Sequence, residues 1–152
     1  MKPRRADERE PRSERVAGEI GAAISRVRRL LWSKADQRLS VHGGSMLTWT
    51  VLDNLERYGP RSQSEIALAI AQHPTGLSRL LDELELAAFV SRSRDKADRR
   101  RVLVQITRRG RTRLTAGRSA VIAAVEEGLG PLDQRERAVL SGLLAKLLLP
   151  AT

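Results

Sequence analysis

The segment from Thr75 to Leu84 combines hydrogen-bonding side chains with helical spacing. At 100° per residue, one stripe of this segment is apolar and consists of Leu77, Leu80, Leu81 and Leu84. The other side carries the polar residues and the glycine, namely Thr75, Gly76, Ser78 and Arg79. An α-helix fits the major groove of DNA, where an arginine can donate paired hydrogen bonds to guanine O6 and N7. Arg79 is therefore the candidate base contact, with Gly76 allowing close approach to the backbone.

A second interpretation of Arg79 stays open at this point. Asp82 and Glu83 follow it at i+3 and i+4, and such exposed helical ion pairs contribute only ~0.3–0.5 kcal/mol. A pair of that strength can exist in the free protein and break when Arg79 meets another partner.

Two short helices must position these side chains. Ser62 and Glu65 have the Ser-x-x-Glu spacing of a capping box, which predicts a helix start there. The chain then breaks near Ala71, and Pro74 suits the first turn of the next helix, with His73 as a candidate N-cap. The pattern predicts a helix-turn-helix. Free N–H groups at the first helix start could hold a DNA phosphate, with Ser62, Gln63 and Ser64 as candidates.

A basic β-hairpin follows the second helix. The ranges 89–94 and 101–107 are rich in β-branched residues, and Val102, Val104 and Ile106 alternate to one face. The connecting residues 95–100 are mostly charged, which suits an exposed tip. The fold class predicted is mainly α-helical with a small β-hairpin wing, a winged helix-turn-helix. Arg92, Arg94 and Arg101 are candidate phosphate contacts.

The range 92–110 resembles the wing and following helix start of the MarR family of bacterial transcription regulators. The similarity lies in Asp98-Arg99-Arg100 and in the hydrophobic-Thr-x-x-Gly pattern of Ile106 to Gly110. The resemblance implies that Arg100 enters the minor groove, where narrow A·T-rich DNA attracts arginine. Asp98 would brace the loop by pairing with Arg94 or Arg99. Ala88 departs from the family, which commonly has glycine at this helix end; alanine there costs on the order of 1 kcal/mol.

Charge and composition favour a polyanion as partner. The 152 residues carry a formal charge of +10, and residues 61–118 hold 13 basic against 6 acidic side chains. Such a localised basic region suits double-stranded DNA, although an arginine-rich genome could also produce it. The absence of cysteine excludes disulfides and thiolate chemistry. No phosphate loop, nucleophile elbow or metal-ligand spacing is present, so we predict a protein that is not an enzyme and needs no metal or other cofactor.

Long amphipathic helices flank the winged helix. Residues 1–15 are too charged to collapse and are predicted to be a disordered tail, and 16–149 to be a single domain. Helix 1 begins at Val16, and helices 5 and 6 follow Thr107 and the capping box of Asp133 and Glu136. The last helix is rich in leucine, which favours packing against another copy over packing within one chain. In the family, the first and last helices form the dimer. We therefore assign 16–44 and 111–149 to dimerisation and 45–110 to DNA binding.

Many members of the family bind small aromatic or anionic effectors between these two regions. In this chain that cleft would be lined by Trp32, His42, Met46 and Trp49, with ordinary core packing as the alternative. The N-terminus lacks the apolar core of a signal peptide, and no run approaches the ~20 residues of a membrane span, so a cytoplasmic, nucleoid-associated protein is expected.

The combined expectation is a homodimeric, ligand-responsive repressor that binds a pseudo-palindromic operator. A nonspecific architectural DNA-binding protein would share the charge and the wing, and a winged helix that mediates protein contacts is a third possibility. The ratio of specific to nonspecific affinity separates the two DNA-binding alternatives.

Overall fold

The computed structural model describes residues 12–148 of the chain. Six helices and one hairpin follow one another along this range: α1 (Arg12–Ser40), α2 (Met46–Tyr58), α3 (Gln63–Ala69), α4 (Pro74–Leu86), β1 (Val90–Arg94), β2 (Val102–Ile106), α5 (Arg108–Gly128) and α6 (Gln134–Leu148). The hairpin is antiparallel and pairs Val90 with Ile106 and Arg94 with Val102. A single bridge between Arg61 and Val104 adds the segment before α3 to the open edge of β2. The predicted winged helix-turn-helix is confirmed.

Helix α1 begins at Arg12, four residues before the predicted start at Val16. Glu14 in the first turn favours this start because a carboxylate there interacts with the positive end of the helix dipole. Arg15 and Glu19 add an i,i+4 pair at 3.8 Å. Residues 12–15 therefore belong to the helix and not to a tail. The predicted tail before Arg12 and the predicted domain end at Leu149 lie outside the described residues.

The core lies in the winged-helix region and is formed by α2, α3, α4, the hairpin and the start of α5. Its fully buried members include Leu52, Leu55, Ile66, Leu77 and Leu81. Burying each such side chain contributes roughly 1.5–3 kcal/mol, so α3 and α4 are fixed mainly by their apolar stripes. Leu80 of the predicted stripe is only partly buried and packs at the margin of this core.

The predicted helix caps are confirmed. The Ser62 hydroxyl accepts from the Glu65 N–H, and the Glu65 carboxylate accepts from the Ser62 N–H. Asp133 and Glu136 form the same reciprocal pair before α6, with distances of 2.8 and 2.9 Å. The Thr107 hydroxyl accepts from the Gly110 N–H at 3.0 Å. These side chains satisfy N–H groups that a helix cannot pair internally.

Helices α3 and α4 both end with an alanine in the left-handed conformation. Ala71 has φ +52° and Ala88 has φ +57°. At the end of α4, the Phe89 N–H donates to the Leu84 carbonyl at 2.8 Å, which is the long-range bond of a Schellman motif. The position predicted to suit glycine is thus left-handed and occupied by alanine. That bond also explains why β1 begins at Val90 and not at Phe89.

Helix α5 buries Leu114 and Val121 and leaves Ile122 exposed. Exposed apolar side chains continue on α1 and α6, namely Val16, Ile20, Ile24, Val27, Leu30, Val139, Leu143, Leu144, Leu147 and Leu148. Within the described residues α6 buries none of its side chains. The leucine side chains of α6 are therefore available for contact with another molecule.

Candidate nucleic-acid interface

Helix α4 presents the predicted polar face outward. The His73 imidazole accepts from the Thr75 N–H at 3.4 Å, so the predicted N-cap is confirmed. Thr75, Gly76 and Arg79 are exposed and Ser78 is half-buried. Apart from its chain neighbours and the backbone of its own helix, no described atom lies within 4 Å of a Cβ built at Gly76, so this turn of the helix is open to an approaching molecule.

Arg79 is paired in the free protein. Its Nε donates to Glu83 Oε1 at 3.2 Å, while the arginine side chain keeps 88% of its surface exposed. The i,i+4 ion pair given above as the second interpretation of Arg79 therefore forms. It is a weak pair because solvent screens it. Such a pair positions the guanidinium along the outer face of α4 and opposes its release only slightly.

The wing tip is organised by main-chain hydrogen bonds. The Asp98 carboxylate accepts from the Arg100 N–H at 3.0 Å, and the Asp98 carbonyl accepts from the Arg101 N–H at 2.9 Å. Arg94 Nη1 donates to the Arg99 carbonyl at 3.0 Å. The expectation that Asp98 pairs with an arginine is wrong, because its short carboxylate closes a local turn instead. Asp98 still braces the loop, and the Arg99 and Arg100 side chains are exposed at the tip.

Arg92 connects the wing to α4. Its Nη1 lies 2.7 Å from both Asp82 Oδ1 and Glu85 Oε2, and only 25% of its side chain is exposed. Partial burial alone would lower the pKa of Arg92, but the hydrogen bonds and charges of Asp82 and Glu85 outweigh it and raise the pKa. The structure therefore places Arg92 as a link between β1 and α4, in contrast to the expected free phosphate contact.

Arg101 makes a similar link to α3. Its Nη2 donates to Glu65 Oε1 at 2.9 Å. The pKa of the Glu65 carboxyl is lowered to about 2, first by the hydrogen bond from the Ser62 main-chain N–H, then by the Ser62 hydroxyl, and to a smaller extent by Arg101. The Glu65 carboxylate thus accepts from the Ser62 N–H, which was expected to donate to a DNA phosphate. The Gln63 side chain is half-buried and Ser64 is exposed.

Sequence reasoning missed three links that position the wing. They are the Glu65–Arg101 pair, the Arg61–Val104 bridge and the stacking of the Arg61 guanidinium 4.6 Å from the Tyr58 ring centroid. Each link joins residues that are separated in sequence or lie in an irregular segment, so no periodic pattern predicts it. The capping box was the available signal for Glu65, but it gave no indication of Arg101.

A cavity of about 300 Å³ lies between the end of α1, the first half of α2 and α5. His42 and Trp49, both predicted ligand residues, line it together with Arg113. The Trp49 indole N–H donates to the Leu114 carbonyl at 3.2 Å, and Arg113 Nη2 donates to the His42 carbonyl at 2.9 Å. The cavity therefore combines an aromatic ring with a guanidinium that sequence reasoning missed.

The other two predicted ligand residues lie elsewhere. Trp32 lines a separate open depression with Arg28 and Arg29. Met46, although among the described residues, lines neither space; its main-chain N–H donates to Asp36 Oδ1 at 2.7 Å. Trp32 lies on α1 and Met46 begins α2, and neither is among the residues that line the cavity. Of the four predicted ligand residues, only His42 and Trp49 therefore line the cavity.

The described residues contain no group of three or more His, Cys, Asp or Glu side chains placed to hold a metal ion. None of the helices within residues 12–148 is both long enough and apolar enough to cross a membrane.

Comparison with known proteins identifies similar molecules. The sequence model of the MarR family matches residues 45–102. The wild-type apo MarR of E. coli is 25% identical, with a TM-score of 0.76 over 85% of this chain and 96% of that one. A mutant of the E. coli protein complexed with operator DNA is 24% identical, with a TM-score of 0.73 over 86% and 94%. A MarR family protein of Mycobacterium tuberculosis, in complex with p-aminosalicylic acid, is 24% identical, with a TM-score of 0.74 over 84% and 96%.

Proposed function

From the match of the MarR family model to residues 45–102 and the similarity to solved MarR structures, we propose that this chain is a MarR-family transcription regulator that binds double-stranded DNA as a homodimer and represses its target. The observation that carries the proposal is the combination of an open polar face on α4 with a wing tip whose Arg99 and Arg100 are exposed. A cytoplasmic, nucleoid-associated bacterial protein is proposed with it. No catalytic step is part of this function.

Helix α4 recognises bases in the major groove. Arg79 exchanges its exposed partner Glu83 for guanine O6 and N7, at the small cost expected of a screened pair. Thr75 and Ser78 add hydrogen bonds from shorter side chains. The absence of a side chain at Gly76 lets the duplex approach the helix. Ser64 and Gln63 contact the phosphate backbone beside this groove, which fixes register but carries no sequence information.

The wing supplies contacts on the neighbouring minor groove. Asp98 fixes the main chain at Arg100, so the Arg100 side chain leaves a defined turn and not a mobile loop. A narrow A·T-rich groove concentrates negative potential and stabilises an arginine inserted there. Arg99 and Arg94 contact the flanking phosphates. Arg92 acts indirectly, because its two carboxylate partners hold the wing against α4.

Two subunits associate through α1 and α6, with residues 45–110 as the DNA-binding region of each. The supporting observation is the large number of exposed apolar side chains on α1 and on α6, which a soluble monomer would rarely leave uncovered. A two-fold dimer places the two α4 helices on pseudo-palindromic half-sites about one helical turn apart.

The cavity beside Trp49 binds a small aromatic anion that controls DNA binding. A ring can stack on the Trp49 indole while a carboxylate accepts from Arg113, whose planar guanidinium has donors beyond the one used by the His42 carbonyl. The cavity lies where α1 and α5 meet α2, so a ligand there contacts both the dimerisation helices and the DNA-binding region. Trp32 and Met46 are not part of this binding site.

DNA specificity is tested by fluorescence anisotropy with fragments flanking the protein's own gene, at near-physiological salt and with scrambled DNA of equal length as competitor. A preference above ~1,000-fold for one fragment supports a sequence-specific regulator. Equal affinity for both sequences supports an architectural protein. Binding to neither would refute DNA binding and direct attention to a protein partner.

The effector site is tested with p-aminosalicylate, the compound bound by the M. tuberculosis relative. In a Trp32→Phe variant, Trp49 is the only tryptophan left, so quenching of its fluorescence reports occupancy of the cavity. Arg113→Met should abolish quenching at concentrations that saturate the Trp32→Phe parent. Unchanged quenching in the Arg113→Met variant would place the ligand elsewhere.

A further inference from the structure

The Glu65 carboxylate is held from two sides. Its Oε2 accepts from the N–H and the hydroxyl of Ser62, both at 2.7 Å. Its Oε1 accepts from Arg101 Nη2 at 2.9 Å, across 36 positions of the sequence. The carboxylate is thus fixed at the start of α3 before Arg101 approaches. Only the arginine loses side-chain freedom when this pair forms, so the pair is better organised than one between two mobile side chains.

The other arginines of the wing tip differ from Arg101. Among the described residues, Arg94, Arg99 and Arg100 have no carboxylate within ion-pair distance. Arg79 has one, but its partner Glu83 is a more exposed side chain on the same helix, and their pair exposes 88% and 60% of the two side chains. The Arg101–Glu65 pair exposes 46% and 48% and joins two different elements. Arg101 is therefore held more firmly than Arg79, and its side chain is more exposed than that of Arg92, which two carboxylates hold at 25% exposure.

We propose that Glu65 limits the affinity of this protein for DNA of any sequence by holding Arg101 away from phosphate in the free protein. The inference rests on the proposed DNA-binding function. A cation already neutralised by a carboxylate displaces no counterion from DNA, so it adds nothing to the salt-dependent part of the affinity. Nonspecific binding matters for a regulator because a genome offers a very large excess of competing sites. With Arg101 paired to Glu65, the sequence-independent attraction to DNA comes mainly from the unpaired wing arginines.

Glu65→Gln tests this role without removing the capping box. Glutamine at the third helical position can still accept from the Ser62 N–H, but it carries no charge to hold Arg101. With a duplex of random sequence, the variant dimer should bind roughly fivefold or more tightly at about 0.1 M NaCl, and its log–log salt slope should steepen by roughly 0.9 for each subunit. Glu136→Gln is the matched control, because Glu136 occupies the same position in the capping box of α6, among residues outside the winged helix.

A second background shows whether Glu65 acts through Arg101. In an Arg101→Gln protein, the further change Glu65→Gln should leave affinity and salt slope unchanged, since no arginine remains to be released. A gain that persists in this background would show general charge repulsion and overturn the proposal. Weaker binding by Glu65→Gln alone would also overturn it, because the ion pair would then position the wing for binding.

The outcomes also separate this inference from the proposed function. If the unmodified protein binds its operator while Glu65→Gln behaves like the Glu136→Gln control, the inference fails and the regulator assignment stands. If the unmodified protein binds neither operator fragments nor random duplex, both fail. Thermal unfolding of each variant establishes that the compared proteins are folded.

Discussion

Replacing Arg100 with alanine should weaken operator binding without unfolding the protein. Arg100 is exposed at the wing tip, and Asp98 accepts from its main-chain N–H, which an alanine also supplies. The loss should therefore come from the side chain alone. For an arginine in a narrow minor groove we expect more than ~1 kcal/mol, or roughly a fivefold weaker complex.

The salt dependence gives a second magnitude. Arg92 and Arg101 are held by carboxylates, which leaves Arg94, Arg99 and Arg100 as the unpaired wing-tip arginines among the described residues. Three contacts from each subunit make about six for a dimer, and the log–log slope of affinity against salt should be roughly −5. Arg100→Ala removes one contact from each subunit, so the slope should fall in magnitude by about 2.

Fluorescence anisotropy of a labelled operator over a series of NaCl concentrations measures both quantities. Arg26→Ala is the matched control, because Arg26 is an exposed arginine of α1 and lies far along the chain from the wing. Its slope and affinity should equal those of the unmodified protein. An equal loss for Arg26→Ala and Arg100→Ala would refute the assignment of the wing tip to DNA, since the effect would then follow net charge and not position.

Three further predictions concern stability. Ala88→Gly should stabilise the fold by about 0.5–1 kcal/mol, and Ala87→Gly should destabilise it by a similar amount, because Ala88 has φ +57° whereas Ala87 has φ −75°; urea unfolding measures both, and equal signs would contradict the explanation. Arg92→Met should lower the melting temperature measured by circular dichroism, because Asp82 and Glu85 would face each other without a cation; an unchanged value would show that the link is dispensable. The pKa of Glu65 is lowered from 4.5 to about 2, so the stability contributed by its ionised form is present above pH 4.5 and is lost as the pH falls towards 2. The difference in unfolding free energy between the unmodified protein and Glu65→Gln, measured by urea unfolding, should shrink over this pH interval. A constant difference would exclude linkage to this carboxyl.

Much of the fold could be predicted because its signals are local. The Ser62 capping box, Pro74 in the first turn of α4 and the alternation of Val104 and Ile106 each follow from chemistry within a few residues. The same local reasoning placed a left-handed residue at Ala88. It failed at Arg12, where a charged segment without apolar periodicity is nevertheless helical, because nearby charges stabilise the first turn.

The candidate site was only partly predictable, since its members were chosen by residue type. Arg92, Arg100 and Arg101 are equivalent as basic residues of a wing, but the structure pairs Arg92 and Arg101 with acids and leaves Arg100 without an acidic partner. Whether an arginine is available depends on which carboxylate the fold brings within about 3 Å, and helix packing decides that. The cavity shows the same limit, because Arg113 and Trp49 belong to different helices.

The sequence by itself determined the order and type of the elements, the outward polar face of α4 and the basic character of the wing. These properties depend on periodicity, capping and charge, which act over one or two helical turns. The tertiary structure alone decided which wing arginines are paired with carboxylates and which are unpaired. It also decided which tryptophan lines the cavity. Those outcomes depend on contacts between residues tens of positions apart, and such contacts exist only after the apolar stripes of α2, α3, α4 and α5 have packed together.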